Sequence, residues 1–245
     1  MKQSFGNLSD GRAASLYTIS AGRLKAAVTD LGATLVSLWV DGVDVVLGYD
    51  NASGYLNNEG FLGAVVGRNA NRVKGSAFPL NGKTVHLTPN EGENNLHSGP
   101  DCWNTRLWEV DAVTEKTIRL RLISPHGDQG FPGNAAVTVT YTVENDGLKI
   151  AYDAVSDQDT VFNLTNHAYF NLAGEEHPEK ALDQILTVNA GSPLVKKLQT
   201  LPAGDEKATR IAKHIYLSAV MLARPLTPEE LRAYVALNRD ILMAL

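Results

Sequence analysis

A row of neutral hydrogen-bonding side chains occupies alternate positions in TVFNLTNHAYFNLAG, residues 160–174. Side chains two apart in a β-strand point to the same face, so Asn163, Thr165, His167 and Tyr169 would line one face together. A solvated face would normally carry lysines and glutamates. These four groups are neutral, and His167 can gain or lose a proton near neutral pH. The row therefore suits a ligand covered in hydroxyl groups.

A second polar stretch is GAVVGRNANRV, residues 63–73. Its Asn71 and Arg72 offer a fork of hydrogen-bond donors for sugar hydroxyls or a ring oxygen. It is not a phosphate loop, because the Gly-Lys-Ser/Thr ending is missing. The alternative is a loop whose arginines, Arg68 and Arg72, bind backbone carbonyls. Both interpretations remain open on the sequence alone.

A third stretch, NEGENNLHSGPDCW at residues 90–103, places His97 among amide and small residues. Such residues let a backbone fold closely around a ligand. The alternatives are a solvated loop histidine at His97 and a buried, hydrogen-bonded one at His167. Two histidines among amides and an arginine nevertheless suit proton transfer on a polyhydroxylated substrate.

Other kinds of catalytic site lack their motifs in this sequence. The six histidines include no pair with the close spacing of a zinc site, so we expect no metal. There is no Gly-x-Ser-x-Gly nucleophile elbow. The net charge of −5 argues against a nucleic-acid partner and an anionic membrane surface, both of which favour clustered lysines and arginines.

The bulk composition is that of a globular protein, with 245 residues of which 44% are hydrophobic and 20% charged. The first residues lack the apolar core of a signal peptide, and no apolar run approaches the length of a membrane span. The single cysteine, Cys102, cannot form an internal disulfide. We therefore expect a protein of the reducing cytoplasm.

Short strands joined by tight turns are expected to position the polar stretches. Asp41-Gly42, Asn81-Gly82 and Asp146-Gly147 each lie between alternating or β-branched runs, which predicts hairpins with type I′ turns. Almost nothing before about residue 189 has helical periodicity. This pattern predicts an all-β, antiparallel β-sandwich.

The character of the sequence changes after residue 189. Residues 190–245 have little strand alternation, and Thr227, Pro228 and Glu230 resemble the start of a capped helix. We therefore predict two regions, a β-sandwich over residues 1–189 and an atypical, partly helical tail over residues 190–245.

Taken together, VVGRNANRV, NNLHSGP and NLTNHAYFNLAG resemble three segments of the aldose 1-epimerase (galactose mutarotase) family, in the family's order. The resemblance covers roughly residues 5–189. It implies a large antiparallel β-sandwich of the galactose mutarotase-like type, with an open cleft and no cofactor. It also implies interconversion of the α and β anomers of free hexoses such as galactose or glucose, through acid/base opening of the ring.

The same resemblance assigns roles to individual residues. His167 would donate a proton to the ring oxygen, and His97 would hydrogen-bond beside it. Asn71 and Arg72 would hold the sugar. Tyr169, from the same row as His167, is assigned to substrate binding.

The C-terminal part departs from the family. The family's glutamate base near the C-terminus and its sugar-binding aspartate have no counterpart here, so we expect a truncated sandwich and impaired activity. Carboxylates of the tail could replace the base, although their spacing favours none of them: Asp205, Glu206, Glu229 and Glu230. The alternatives are a non-catalytic carbohydrate-binding module and an epimerase of phosphorylated hexoses. Exposed sheet edges also predict self-association.

Overall fold

The computed structural model describes residues 1–57, 60–174, 200–202, 205, 209, 211–213, 232 and 234. The chain divides into two compact units, Met1–Leu182 and Asp183–Leu245. In the second unit, the backbone amide of Asp205 donates to the carbonyl of Pro202, and the amide of Thr209 donates to that of Asp205, both at 3.1 Å. The predicted boundary at residue 189 and most of the predicted helical tail lie outside the described residues, so both stay predictions.

The first unit is built almost entirely of strands. In chain order its elements are β1 (Lys2–Asn7), β2 (Ala13–Ala21), β3 (Leu24–Thr29), β4 (Leu35–Val40), β5 (Val43–Asp44), α1 (Ala52–Leu56), β6 (Val65–Val66), β7 (Arg72–Val73), β8 (Ala77–Leu80), β9 (Lys83–His86), β10 (Asn95–Leu96), β11 (Glu109–Val113), β12 (Thr117–Ser124), β13 (Ala135–Val143), β14 (Leu148–Ser156) and β15 (Thr165–Asn166). Short 3₁₀ turns occupy Lys74–Ser76, Trp103–Thr105 and Asp128–Gly130.

Two antiparallel sheets form the body of this unit. One has five strands in the order β1-β2-β3-β4-β5, and the other has four in the order β11-β12-β13-β14. Every neighbouring pair is antiparallel and consecutive in sequence. The connections are therefore hairpins, which confirms the predicted antiparallel all-β class.

The hydrophobic core lies between these two sheets. Alternate residues of β13 are buried, and the residues between them are half-buried, as expected for a strand with one face on a core. Val28 of β3 and Ile118 and Val139 of the second sheet are fully buried members of one cluster. The hydroxyl of Tyr141 donates to the carbonyl of Ala33 at 2.7 Å, which ties the second sheet to the loop before β4.

The opposite face of the five-stranded sheet is covered by α1. Ala52 and Tyr55 of α1 belong to a second buried cluster with Phe5 and Val36. The side chain of Asn51 accepts hydrogen bonds from the amides of Ser53 and Gly54, which caps this short helix. The five-stranded sheet is thus buried on both faces.

Two of the three predicted type I′ turns are confirmed by their backbone angles. Asp41 and Gly42 have φ of 51° and 88°, and Asn81 and Gly82 have φ of 51° and 73°. The turn predicted at Asp146-Gly147 is wrong, although the β13–β14 hairpin is present. Val143 pairs with Leu148, which leaves residues 144–147 as a four-residue loop in place of a two-residue turn.

Candidate functional site

Backbone hydrogen bonds bring both predicted histidines next to residues 63–73. β15 pairs with β6, and just beyond this pair the amide of His167 donates to the carbonyl of Ala64 at 2.8 Å. β7 pairs with β10, and just beyond that pair the amide of His97 donates to the carbonyl of Asn71 at 3.0 Å. Two short strand pairs therefore place residues that are distant in sequence beside one another.

The two imidazole rings meet at the centre of an aromatic cluster. The ring centroids of His97 and His167 lie 5.3 Å apart, with the planes nearly perpendicular at 84°. The ring of Phe61 contacts both histidines, at 4.8 Å from His97 and 5.9 Å from His167. Tyr169 lies 5.2 Å from His167. The resemblance implied that His97 acts beside His167, and the two rings do lie side by side; their roles stay predictions.

The alternation proposed for residues 160–174 explains this arrangement. Phe162, Leu164 and Ala168 pack against the core. His167 is half-buried on the other face, and Tyr169 is 43% exposed. The segment thus places Phe162, Leu164 and Ala168 on the core and His167 and Tyr169 in the aromatic cluster, whereas Phe170, from the apolar row, is 57% exposed.

His97 is held in one neutral tautomer. Its Nδ1 accepts a hydrogen bond from the amide of Asn71 at 3.0 Å, so the ring proton of the neutral form resides on Nε2. Burial, followed by the nearby charges of His167 and Arg72, lowers the pKa of His97 to about 4. At neutral pH this side chain is an uncharged hydrogen-bond donor through Nε2.

We predict that the imidazole of His97 titrates with a midpoint near pH 4 in the folded protein. An unfolded chain would protonate this residue near pH 6.5, so the unfolded state binds more protons between these values. This contribution to stability is fully present above about pH 6.5 and is lost as pH falls towards 4. NMR titration of the His97 Cε1–H signal measures the midpoint. In His167→Gln, which removes a neighbouring charge, the midpoint should rise; a midpoint near 6.5 in the original protein would contradict the prediction.

Asn71 and Arg72 lie at the edge of the same cluster. The Nη1 group of Arg72 donates to Oδ1 of Asn71 at 3.4 Å. The remaining guanidinium nitrogens are engaged by Glu91, with Nε–Oε2 at 2.7 Å and Nη2–Oε1 at 2.6 Å. The side chain of Arg72 is 55% exposed. This arginine therefore stands beside His97 with a fixed orientation and an open side.

Arg68 is a buried residue of the same segment, and its hydrogen bonds are structural. It is only 1% exposed, and its guanidinium donates to six buried or part-buried acceptors: Ser124 Oγ, Thr160 Oγ1 and the carbonyls of Ser124, Pro125, Pro132 and Gly133. Of the two interpretations of its segment, the carbonyl-binding one is confirmed for Arg68. Its own carbonyl accepts from the amide of Asn163 at 2.8 Å, which attaches the segment carrying His167.

Several site residues adopt left-handed backbone conformations that non-glycine residues rarely enter. The φ angles are 56° at Phe61, 64° at Asn71, 52° at His97 and 76° at Ser98. Ser98 is also linked to Asn69, because its Oγ accepts from that amide at 2.7 Å and donates to that carbonyl at 3.0 Å. Such conformations persist only where surrounding contacts impose them, and they concentrate at functional sites.

Two residues of the candidate site, Phe61 and Glu91, were not predicted from the sequence. Phe61 lies in a loop and has no periodic pattern to mark it, so only the fold reveals its contacts with both histidines. Glu91 lies within the stretch that contains His97, yet no local spacing pairs it with Arg72. Among the described residues there is no group of three His, Cys, Asp or Glu side chains that could hold a metal ion.

Comparisons with known proteins identify relatives of this chain. The family model for aldose 1-epimerase matches residues 15–219, which continues past residue 189, where we expected the resemblance to end. The galactose mutarotase of Pongo abelii is 36% identical over 207 residues, covering 82% of this chain and 60% of that protein. The aldose 1-epimerase of Escherichia coli K12 is 39% identical over 175 residues, covering 68% of this chain and 50% of that protein.

A solved structure supports the fold as well. The GalM/aldose epimerase homologue from C. elegans superposes with a TM-score of 0.62 at 36% identity, covering 65% of this chain and 51% of that one. The chain thus spans about half to three fifths of the length of the proteins it matches. With the sandwich, the paired histidines and these matches taken together, the chain belongs to the aldose 1-epimerase family.

Proposed function

We propose that the site between His97 and His167 binds a free hexose, such as galactose or glucose, and promotes interconversion of its α and β anomers. The observation that carries this proposal is the meeting of two imidazoles, 5.3 Å apart between centroids, beside the guanidinium of Arg72. The names of the relatives, galactose mutarotase and aldose 1-epimerase, support the same reaction.

The chemistry requires two proton transfers. Opening a cyclic hemiacetal needs an acid to protonate the ring oxygen and a base to remove the anomeric hydroxyl proton. In the proposal His167 is the acid, and the neutral His97 donates through Nε2 to a neighbouring sugar oxygen. Asn71 and Arg72 bind hydroxyl groups at the rim. The exposed ring of Tyr169 provides a flat surface against which one face of the sugar packs.

The proposed reaction also requires a base, and no described residue is assigned to this role. Asp205 lies in the second compact unit, and Glu206, Glu229 and Glu230 lie outside the described residues. The expectation of impaired activity therefore stays a prediction. Acid or base assistance is worth roughly 10²–10⁴-fold, so loss of the base alone would leave a slow but measurable reaction.

Polarimetry on freshly dissolved α-galactose and α-glucose tests the proposal, together with calorimetric titration of the same sugars. A mutarotation rate above the buffer rate, with saturable binding, is the expected result. Binding without any excess rate would favour the alternative of a non-catalytic sugar-binding module. Absence of both would overturn the sugar site altogether.

We also propose that copies of this chain associate through the edge of β14 on which the described residues place no partner strand. In the described part of the chain β14 pairs only with β13, and Val155 on it is 72% exposed. Lys149 and Asp153 are also exposed. Antiparallel pairing of two β14 strands about Ala151 would set Lys149 of each copy opposite Asp153 of the other.

Sedimentation velocity over a range of protein concentrations tests this edge. We expect a concentration-dependent dimer that Lys149→Glu weakens about tenfold, because like charges then face each other. The double change Lys149→Glu with Asp153→Lys should restore it. A monomer at every concentration, or failure of the double change to restore association, would refute the β14 interface.

Two further expectations concern location and other partners. No helix among the described residues is long and apolar enough to cross a membrane. The cytoplasmic location and the absence of a nucleic-acid partner stay predictions.

A further inference from the structure

Glu91 holds the guanidinium of Arg72 through two parallel hydrogen bonds, at 2.7 and 2.6 Å. This bidentate geometry fixes the plane of the guanidinium as well as its position. It leaves Nη1 directed to Oδ1 of Asn71, at 3.4 Å. Because the amide of Asn71 in turn binds Nδ1 of His97, a continuous chain of contacts runs from Glu91 to the imidazole.

The backbone that carries Glu91 is itself tied down. The amides of Glu91 and Asn94 each donate to the other residue's carbonyl, at 3.1 and 2.9 Å. Asn94 Oδ1 accepts from the amide of Gly75 at 3.1 Å, which joins this turn to the end of β7. Asn90 binds both the amide and the carbonyl of Leu96, at 2.7 and 2.9 Å. The carboxylate therefore lies on a turn that is hydrogen-bonded to the segments carrying Arg72 and His97.

The pair also determines the charge that a ligand meets. A free guanidinium matches phosphate geometry and attracts it strongly. Here its charge is balanced by Glu91 at contact distance, and three of its five N–H donors are used by Glu91 and Asn71. The two remaining N–H groups belong to a charge-balanced ion pair, which suits a sugar hydroxyl group better than an anion.

We infer that Glu91 is a positioning and specificity-determining residue: it orients Arg72 toward a sugar hydroxyl and makes the site select neutral hexoses over hexose phosphates. The inference rests on the proposed sugar site. It assigns to one carboxylate the choice between the free-hexose reaction and the phosphorylated-hexose alternative.

Glu91→Gln tests the inference, with Glu93→Gln as the matched control. Glu93 lies in the same turn and is exposed, and it forms no ion pair in the described part of the chain. Dissociation constants for galactose and galactose 6-phosphate are measured by calorimetry at low ionic strength. Glu91→Gln should weaken galactose binding about tenfold and shift the preference toward the phosphate by about tenfold or more. Glu93→Gln should leave both constants unchanged.

A second readout does not depend on sugar. In the sugar-free protein the Nε–H NMR signal of Arg72 should be sharp and slow to exchange with water, and Glu91→Gln should broaden or abolish it. An unchanged signal together with an unchanged ligand preference would overturn the inference while leaving the sugar site intact. Failure of the unaltered protein to bind either sugar would overturn the proposed function, and the specificity inference with it.

Discussion

Replacing His167 with glutamine is expected to lower the protein-dependent mutarotation rate by about 10²-fold or more, which is the usual worth of general acid assistance. Glutamine retains a hydrogen-bond donor of similar reach but cannot supply a proton. The backbone contacts of His167 with Ala64 and Gly63 do not involve its side chain, so the site should keep its shape. Polarimetry measures the rate, and calorimetric titration with galactose shows whether the sugar still binds.

The matched control for this change is His86→Gln. His86 is an exposed residue of β9, and its side chain makes no contact with the aromatic cluster among the described residues. The control should keep the original rate. A His167→Gln protein that binds galactose and retains the full rate would show that the proton comes from another group, and would remove His167 from the proposed mechanism.

Much of the candidate site could be predicted from the sequence because the signals of its segments are local. The alternating row around His167 follows from the two-residue period of a strand, and the structure packs Phe162 and Leu164 on the opposite face as that period requires. The turns at Asp41-Gly42 and Asn81-Gly82 could also be predicted, because only a few residue types tolerate positive φ.

The errors and omissions share a different cause. The ion pair of Arg72 with Glu91 and the contacts of Phe61 form because short strand pairs bring separate loops together. The residues adjacent to them in the sequence do not indicate these contacts. Asp146-Gly147 had suitable turn residues, but the strand register left four residues to be bridged. Register is determined by the buried faces of β13 and β14, which outweighed the local preference.

The partners of Arg68 are also distant in sequence and could not be predicted from it. This residue gives the prediction with the largest expected effect on stability. Replacing it with leucine should lower the free energy of unfolding by at least about 4 kcal/mol, out of a total of about 5–15 kcal/mol for a typical domain. The carbonyls of Ser124, Pro132 and Gly133 would lose the guanidinium as a donor, whereas that of Pro125 keeps the amide of Asp128 at 3.0 Å. Each buried acceptor left without a partner costs about 1–3 kcal/mol. Urea denaturation followed by circular dichroism measures the loss.

An exposed arginine provides the control, and a conservative variant keeps the test informative if Arg68→Leu does not fold. Arg23 pairs with Asp41 at 2.8 Å, with both side chains more than half exposed, so Arg23→Leu should cost no more than about 1 kcal/mol. Arg68→Lys keeps the charge but cannot reach all of the acceptors at once, and it should fall between the two. If Arg68→Leu were as stable as Arg23→Leu, the buried arginine would not be what joins the segment at residues 63–73 to the loops at 124–133. Both histidines are hydrogen-bonded to the backbone of residues 63–73, so their positions would then need another explanation.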